Sequence, residues 1–481
     1  MTKIRNYIGG ELLAPISGKY IDNRAPATGQ VYAQIPDSSS EDIAIAMKAA
    51  QRAFAQWSVQ SHTRRHDVMM KIAEGIAARH EEFAQAESRD TGKPISLARQ
   101  IDIPRAVANF KFFATAAMQY SSESHYMPDQ PAINYTLRRP VGVVGCISPW
   151  NLPLYLLTWK VAPAIATGNT VIAKPSEVTP MTAYLLSQVC QEAGLPDGVL
   201  NIVHGTGPRA GEAIVTHPEI KAISFTGGTA TGAHIASITA PRFLKTSLEL
   251  GGKNPTIVFA DADYNDALST SVKAAFANQG QICLCGSRVY IERSIYEQFR
   301  DDFVSKASTL KPADPADDDT RIGALVSAQH RDKVLQHIAV AKAEGGKILC
   351  GGDTIKLDGE LTGGYYLQPT VIEDVGLACK TTQDEIFGPV VTLTPFDTEE
   401  ELIRHANGVR YGLSTSVWTS DLKRAHRIAA AVDAGIVWIN CWLLRDLRTP
   451  FGGMKDSGVG REGGWEAMRF FTEPKNVCIK Y

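Results

Sequence analysis

The chain has 481 residues, a hydrophobic fraction of 44%, a charged fraction of 21% and a formal net charge of -2. This length implies two or three domains, and the near-neutral balance excludes nucleic acid or an anionic membrane as the principal partner. No apolar run approaches the ~20 residues that span a bilayer. The segment from Met1 to Gly10 lacks the apolar core of a secretory leader, so a cytoplasmic location is expected. The eight cysteines are too scattered for a disulfide framework. Cys283 and Cys285 form a Cys-x-Cys pair without a second pair of ligands, so no metal is expected.

In chain order, Ile43, Met47, Ala50, Phe54 and Trp57 mark one apolar face of a helix, read as core. A second helix is predicted over residues 64–90, stopped at Thr91-Gly92-Lys93-Pro94. Short β-rich runs follow at 141–147, 170–173, 199–203, 222–225 and 256–259, the first four separated by helix-like sequence. That rhythm predicts βα units with right-handed crossovers, a doubly wound Rossmann-like domain with a parallel sheet. A second α/β block starts after Gly252, with a helix near 329–344 and strands at 390–396, 414–418 and 435–440. The Asp- and Pro-rich stretch 311–320 reads as a surface loop. The tail 470–481 reads as an edge strand available to a neighbouring subunit's sheet.

The chemistry-bearing residues stand at the ends of these elements. A helix over 267–278, stopped by Gly280, delivers Cys283 on a short loop, where a thiolate can attack an electrophilic carbon. Glu249 ends an apolar run before Gly251-Gly252, where desolvation would raise its pKa toward that of a useful base; a strand-end salt bridge is the competing reading. Asn151, after Pro149-Trp150, can donate to an oxyanion together with a backbone N–H near the cysteine, or merely stabilise a turn. Two glycine patterns, Gly205 to Gly211 and Phe225 to Gly232, follow predicted strands and suit a phosphate at a helix N-terminus, although neither has the usual dinucleotide spacing. Lys174 and Glu177 fall where sheet ligands bind; the carboxylate would accept from ribose hydroxyls and repel a 2′-phosphate, favouring NAD over NADP.

Together these stretches resemble the aldehyde dehydrogenase superfamily over nearly the whole chain. The resemblance rests on Pro149-Trp150-Asn151, Trp159-Lys160, Gly168-Asn169-Thr170, Lys174-Pro175-Ser176-Glu177, Phe225-Thr226-Gly227, Glu249-Leu250-Gly251-Gly252-Lys253, Gly280-Gln281-Ile282-Cys283, Glu385-Ile386-Phe387-Gly388-Pro389 and Pro450-Phe451-Gly452-Gly453. It implies Cys283 as nucleophile, Glu249 as general base and Asn151 as oxyanion donor. It implies an NAD surface built from Ser148, Pro149, Trp150, Lys174, Ser176, Glu177, Gly207, Gly211, Phe225, Thr226, Gly227, Gly228, Leu250, Glu385 and Phe387. Gly228 departs from the many relatives that carry a phosphate-touching Ser, which shifts that contact toward backbone N–H groups. A division into an NAD domain (1–120 and 138–251), a second α/β catalytic domain (252–450) and a small β oligomerisation element (121–137 and 466–481) follows from the same likeness, with a homodimer or homotetramer expected.

Within the superfamily, residues 440–450 and Ile103-Pro104-Arg105 resemble the 2-hydroxymuconic and 2-aminomuconic semialdehyde dehydrogenases, whose substrates carry a carboxylate opposite the aldehyde. An arginine fork suits that carboxylate. Arg105 and Arg445 are the candidates, Arg448 the reserve, with Trp159, Trp442 and Leu444 against the chain. Three rivals are a CoA-acylating dehydrogenase, a catalytically silent binding protein on the same fold, and a cysteine hydrolase without a redox step. The base Glu249 argues against the first, retention of Cys283 and Glu249 against the second, and the glycine patterns with Lys174 and Glu177 against the third.

Overall fold

The computed structural model describes residues 1–481. Five parallel strands, Val143–Ile147, Thr170–Lys174, Leu200–Ile202, Ala222–Thr226 and Lys245–Glu249, form the centre of an eight-stranded sheet. Numbered along the chain, their spatial order is 3-2-1-4-5, with hairpin strands Asn6–Ile8 and Glu11–Leu13 on one edge and Gly458–Val459 on the other. The order reverses between Val143–Ile147 and Ala222–Thr226, and in doubly wound sheets a ligand crevice opens there, beyond the strands' carboxyl ends.

The predicted run at 256–259 belongs to a second sheet, as strand Asn254–Val258. It pairs in parallel with Gly286–Glu292 and Ser414–Trp418, and the sheet continues through Val390–Phe396 to Thr370–Glu373 on one side and to Ile436–Ile439 on the other. The last strand of the first sheet and the first of the second are joined only by Leu250-Gly251-Gly252-Lys253. This short crossing sets the carboxyl ends of the first sheet against the amino ends of the second.

Helix Pro153–Ala166 is buried along its whole length and forms the centre of the largest core, between the first sheet and helices His62–Ala78 and Ile103–Met118. A helix apolar on every side must be enclosed. The helix predicted over 64–90 is two helices, His62–Ala78 and His80–Thr91. The chain bends at Arg79 (φ -103°, ψ 25°), whose guanidinium donates to Glu82 and Gln188. The bend keeps Val68, Met69, Phe83 and Ala84 in one core, which a straight rod could not do.

The tail strand, Thr472–Lys480, pairs antiparallel with Ala132–Pro140 of its own chain, in register from Thr472↔Pro140 to Lys480↔Ala132. The tail is thus an edge strand, as expected, paired on one side within its own chain. With Ser124–Met127 it forms a three-stranded sheet whose strands are largely exposed. No helix is long and apolar enough to cross a membrane.

Helix Tyr264–Phe276 ends earlier than its sequence predicts, and the chain then passes through three left-handed residues, Asn278 (φ 51°), Gln279 (φ 57°) and Gly280 (φ 69°). At Gly280 an added Cβ would lie 2.1 Å from the carbonyl oxygen of Gly388. Gly280→Ala is expected to cost upward of about 1 kcal/mol, through φ strain and this backbone clash. The measurement is the thermal midpoint, and an unchanged midpoint would contradict the close approach.

Candidate active site

The left-handed turn persists because its side chains are over-determined by buried amides. Gln279 Nε2 donates to Ala324 O at 3.0 Å while its Oε1 accepts from Gly323 N–H at 3.2 Å. Asn278 Nδ2 donates to the carbonyls of Asn151 and Gln281, and Gln281 Oε1 accepts from Val326 N–H. Strain of about 1–3 kcal/mol per unusual residue survives only in such surroundings. Beyond the turn, Asn254 Nδ2 donates to the carbonyls of Cys283 (2.7 Å) and Cys285 (2.9 Å), and Trp442 Nε1 to that of Leu284 (2.9 Å). These bonds fix the loop's carbonyls on one side. The Cys283 N–H has no protein acceptor.

Cys283 stands at the inner end of a cavity of about 720 Å³, within the range of small-molecule sites. Asp266, Thr270 and Lys273, spaced three or four apart on one face of helix Tyr264–Phe276, line it, with Ala277 just past the helix end. Trp442, Leu443, Arg445, Arg105, Tyr155 and Leu156 line it as well. Glu249 lies near the thiol.

Burial raises the pKa of both titratable groups here. Burial pushes the Cys283 thiol well up, with Glu385 and Glu249 adding to the shift and Arg445 opposing it. Burial likewise holds Glu249 well above the usual carboxylate range, reinforced by Glu462 and opposed by Lys160, Arg461 and Arg445. Neither Glu249 oxygen has a hydrogen-bond partner, an uncommon state for a buried carboxyl. Behind it, Lys160 Nζ pairs with Glu462 Oε1 at 2.6 Å and with Ser224 Oγ at 3.1 Å. Asn151 is buried, and its Nδ2 donates to Gln281 O at 2.9 Å, leaving its second N–H free.

The other predicted residues lie along the carboxyl ends of the first sheet. Lys174 Nζ donates to Pro175 O and, at 3.1 Å, to Glu177 Oε2. Burial works to raise the Glu177 carboxyl, but Lys174 and the N–H groups of Glu177 and Gly207 bring it below its ordinary value. Gly207–Gly211 forms a π-turn, with open space beside Gly207 and Lys174 packed on Gly211. Gly228 caps helix Thr229–Thr239 without a side-chain bond, and nothing lies within 4 Å of where its Cβ would be. The Gly227 N–H is already committed to Glu249 O at 3.0 Å, so free donors lie further on, in the helix's first turn.

Ser148 Oγ, Thr226 Oγ1 and Thr229 Oγ1 are buried without partners. Orphaned hydroxyls, an open glycine cradle and the Lys174–Glu177 pair along one edge fit a dinucleotide. Near the cysteine, Glu385 Oε1 accepts from Gly252 N–H at 2.9 Å, and its carboxyl is raised by burial. Phe387 is left-handed (φ 60°); its carbonyl accepts from His330 Nε2 at 2.7 Å, and Trp150 meets its ring edge-on at 5.2 Å. Burial lowers His330 to about 4, so the ring is neutral and donates through Nε2.

Three predicted contacts are corrected. Trp159 is buried behind the cavity wall, where Arg445 stacks on it at 5.3 Å, so it supports the guanidinium rather than facing the cavity. Arg448 points to solvent, paired with Asp446 at 2.5 Å. The Phe225 ring sits in the core beneath Gly227, where a Cβ would meet it at 2.4 Å; its part is to seat that glycine. Leu444 is exposed and reaches only the cavity's rim.

Sequence reading missed Tyr155, Asn254, Lys160 and Glu462. Tyr155 had a signal, standing four residues after Asn151 in the first turn of helix Pro153–Ala166. Its ring lies 5.5 Å from the Arg105 guanidinium, and its hydroxyl accepts from Arg445 Nη1 at 2.8 Å. Lys160 lay inside a quoted motif. Glu462 had no local signal.

Residues 14–477 match the model of the aldehyde dehydrogenase family. The chain is 52% identical over 480 residues to a 2-aminomuconic semialdehyde dehydrogenase of Danio rerio, covering 99% of this chain and 98% of that protein. It is 46% identical over 485 residues to a 2-hydroxymuconic semialdehyde dehydrogenase of Pseudomonas sp. strain CF600, covering 100% of both. The fold superposes on the NAD+ complex of an aldehyde dehydrogenase from Bacillus cereus with a TM-score of 0.97 at 39% identity, covering 99% of this chain and 96% of that one.

Because the Cys283 thiol is raised in the free protein, its alkylation by iodoacetamide is expected to keep accelerating from pH 7 to 9, followed peptide by peptide by mass spectrometry. The thiolate fraction grows with pH until the pKa is passed, so a plateau below pH 7 would show the thiol lowered instead.

Proposed function

This chain belongs to the aldehyde dehydrogenase family, and we propose that it oxidises a carboxylate-bearing semialdehyde, of the 2-aminomuconic or 2-hydroxymuconic kind, in the catabolism of aromatic compounds. It is an NAD-dependent aldehyde dehydrogenase. The observation that carries the finer reading is a pair of guanidinium groups in one cavity. Arg105 and Arg445 both border the space that ends at Cys283, and neither pairs with a carboxylate of the protein. A cavity-facing cation without a partner is costly unless a ligand supplies the charge. An arginine fork matches a planar carboxylate. Tyr155 between the two, and Trp159 with Phe451 under Arg445 at 5.3 and 4.0 Å, hold the forks in place.

In this reading Cys283 loses its thiol proton to solvent, its thiolate sulfur bonds to the aldehyde carbon, and the carbonyl electron pair moves to its oxygen. Two donors face that oxygen: the free N–H of Asn151 and the N–H of Cys283. NAD, when bound, supplies the hydride acceptor. Loss of hydride from the tetrahedral adduct restores the carbonyl as a thioester on Cys283. Glu249, with its raised pKa and unpartnered oxygens, takes a proton from water as the water oxygen attacks the thioester. The carbon–sulfur bond breaks, the carboxylate leaves, and the sulfur is free again. Lys174 and Glu177 hold the adenosine ribose, and the Glu177 carboxylate repels a 2′-phosphate. Glu385 and Phe387 hold the nicotinamide ribose and ring.

The domains divide at the chain crossing, with residues 1–120 and 138–251 carrying the cofactor and 252–450 the cysteine. The exposed sheet holding Tyr126, Ile479 and Tyr481 joins copies into a dimer or tetramer, and the enzyme works in the cytoplasm.

Steady-state kinetics with NAD, against semialdehydes with and without a terminal carboxylate, tests the substrate class. Arg445→Ala should raise KM for the carboxylate-bearing substrate far more than for a simple aliphatic aldehyde; losing one partner of a desolvated charge pair costs about 2–5 kcal/mol. Equal effects on both substrates would remove Arg445 from the carboxylate site. Glu249→Ala should give a rapid burst of NADH followed by slow turnover, since the thioester then waits for water without a base. A steady rate like the wild type would remove the base role.

A further inference from the structure

Where the cavity wall leads into Arg105 stands an ion cluster that takes no part in these steps; Asp102 belongs to that wall, with its side chain enclosed. Lys93, Glu87 and Asp102 are each 0% exposed. Lys93 Nζ donates to Asp102 Oδ2 at 2.7 Å and to Glu87 Oε1 at 3.3 Å. The other Glu87 oxygen accepts from Leu154 N–H at 3.4 Å, while Asp102 Oδ1 has no partner. Burial pushes both carboxyls up. Enclosing two carboxyls and an ammonium is expensive, and for stability alone apolar side chains of like volume serve as well or better.

The cluster's attachments give it a different use. Asp102 closes the π-turn Ala98–Asp102, a wide turn inserted between two helical stretches, and helix Ile103–Met118 starts at the next residue. Arg105 stands on that helix's first turn. Glu87 grips Leu154 in the first turn of helix Pro153–Ala166, one residue before Tyr155. The Arg105 guanidinium lies over the Tyr155 ring, and the Tyr155 hydroxyl holds Arg445. One ammonium thus ties together the two helix starts that bear the carboxylate-facing groups.

We infer that Lys93, Glu87 and Asp102 form a positioning unit for substrate selection, which fixes Arg105 relative to Tyr155 and Arg445 and so sets affinity for the substrate's carboxylate without touching the substrate. This rests on the proposal that the two arginines hold that carboxylate.

The test measures kcat and KM for a semialdehyde with a terminal carboxylate and for an aliphatic aldehyde of equal chain length. The enzymes are wild type, Asp102→Asn, Asp102→Ala, Arg105→Ala and each Asp102 variant combined with Arg105→Ala. Asp102→Ala should raise KM for the carboxylate substrate about tenfold and leave both constants for the neutral aldehyde within about twofold, the scale on which small misplacements of a binding group are felt. Asp102→Asn, which keeps an acceptor for Lys93, should move KM the same way by less. Neither substitution should raise KM further once Arg105 is alanine. If Asp102→Ala does not fold, Asp102→Asn and its double variant decide. Unchanged KM, equal rises for both substrates, or a full further rise without Arg105 would each overturn the positioning role. A selective effect of Arg105→Ala beside silent Asp102 variants overturns this inference alone; an Arg105→Ala enzyme that does not discriminate overturns the carboxylate reading and this inference with it.

Discussion

The site depends on the chain crossing from one sheet to the other within Leu250-Gly251-Gly252-Lys253. The constraint is close backbone approach. A Cβ at Gly251 would lie 2.3 Å from Glu385 Oε2, and one at Gly252 would lie 2.8 Å from Cys283 O. Without side chains there, the crossing lets Gly252 N–H donate to Glu385 and lets Asn254, at the start of the next strand, clamp the cysteine loop. Leu250 N–H is held by Ser457 O, which pins the crossing from the other side. Glu249 precedes it and Cys283 packs on it, so a few backbone atoms set the spacing of the proposed base and nucleophile.

The electrostatics follow from that enclosure. A buried carboxyl without hydrogen bonds is a liability for stability, but it is what raises the pKa of Glu249 toward that of a base. The neighbouring ion pair Lys160–Glu462 is satisfied by Ser224, so the site places an unsatisfied carboxyl beside a satisfied one. Both acids are buried, and they differ in partners, not in residue type. Cys283 is governed by the same field. The groups that surround it disfavour a resting thiolate, and only Arg445 pulls the other way. Arg445 therefore stands at the junction of the reacting centre and the proposed carboxylate site.

Much was legible along the chain because it is local. The βα rhythm located four of the five parallel strands of the first sheet, and the glycine stops located the turns before Lys93 and Cys283. Lys174 and Glu177 fell where their strand ends. The helix break at Arg79 was not legible, since the apolar period continues through it and only packing against a shared core bends the chain. Nor did the sequence distinguish Trp159, hidden behind Arg445, from Tyr155, facing the cavity on the same helix. Both are aromatic, and facing is decided by what packs against each side.

By itself the sequence determined the elements, the family-like motifs and the residue types able to act as nucleophile, base and amide donor, because periodicity, turn chemistry and short motifs are carried by neighbours along the chain. Only the tertiary structure decided that the carboxyl ends of one sheet meet the amino ends of another, that Glu462 stands beside Glu249, and that Arg105 and Arg445 face one cavity while Arg448 faces water. Those relations join residues far apart in the chain, and burial and charge at such meetings depend on what the fold removes from water.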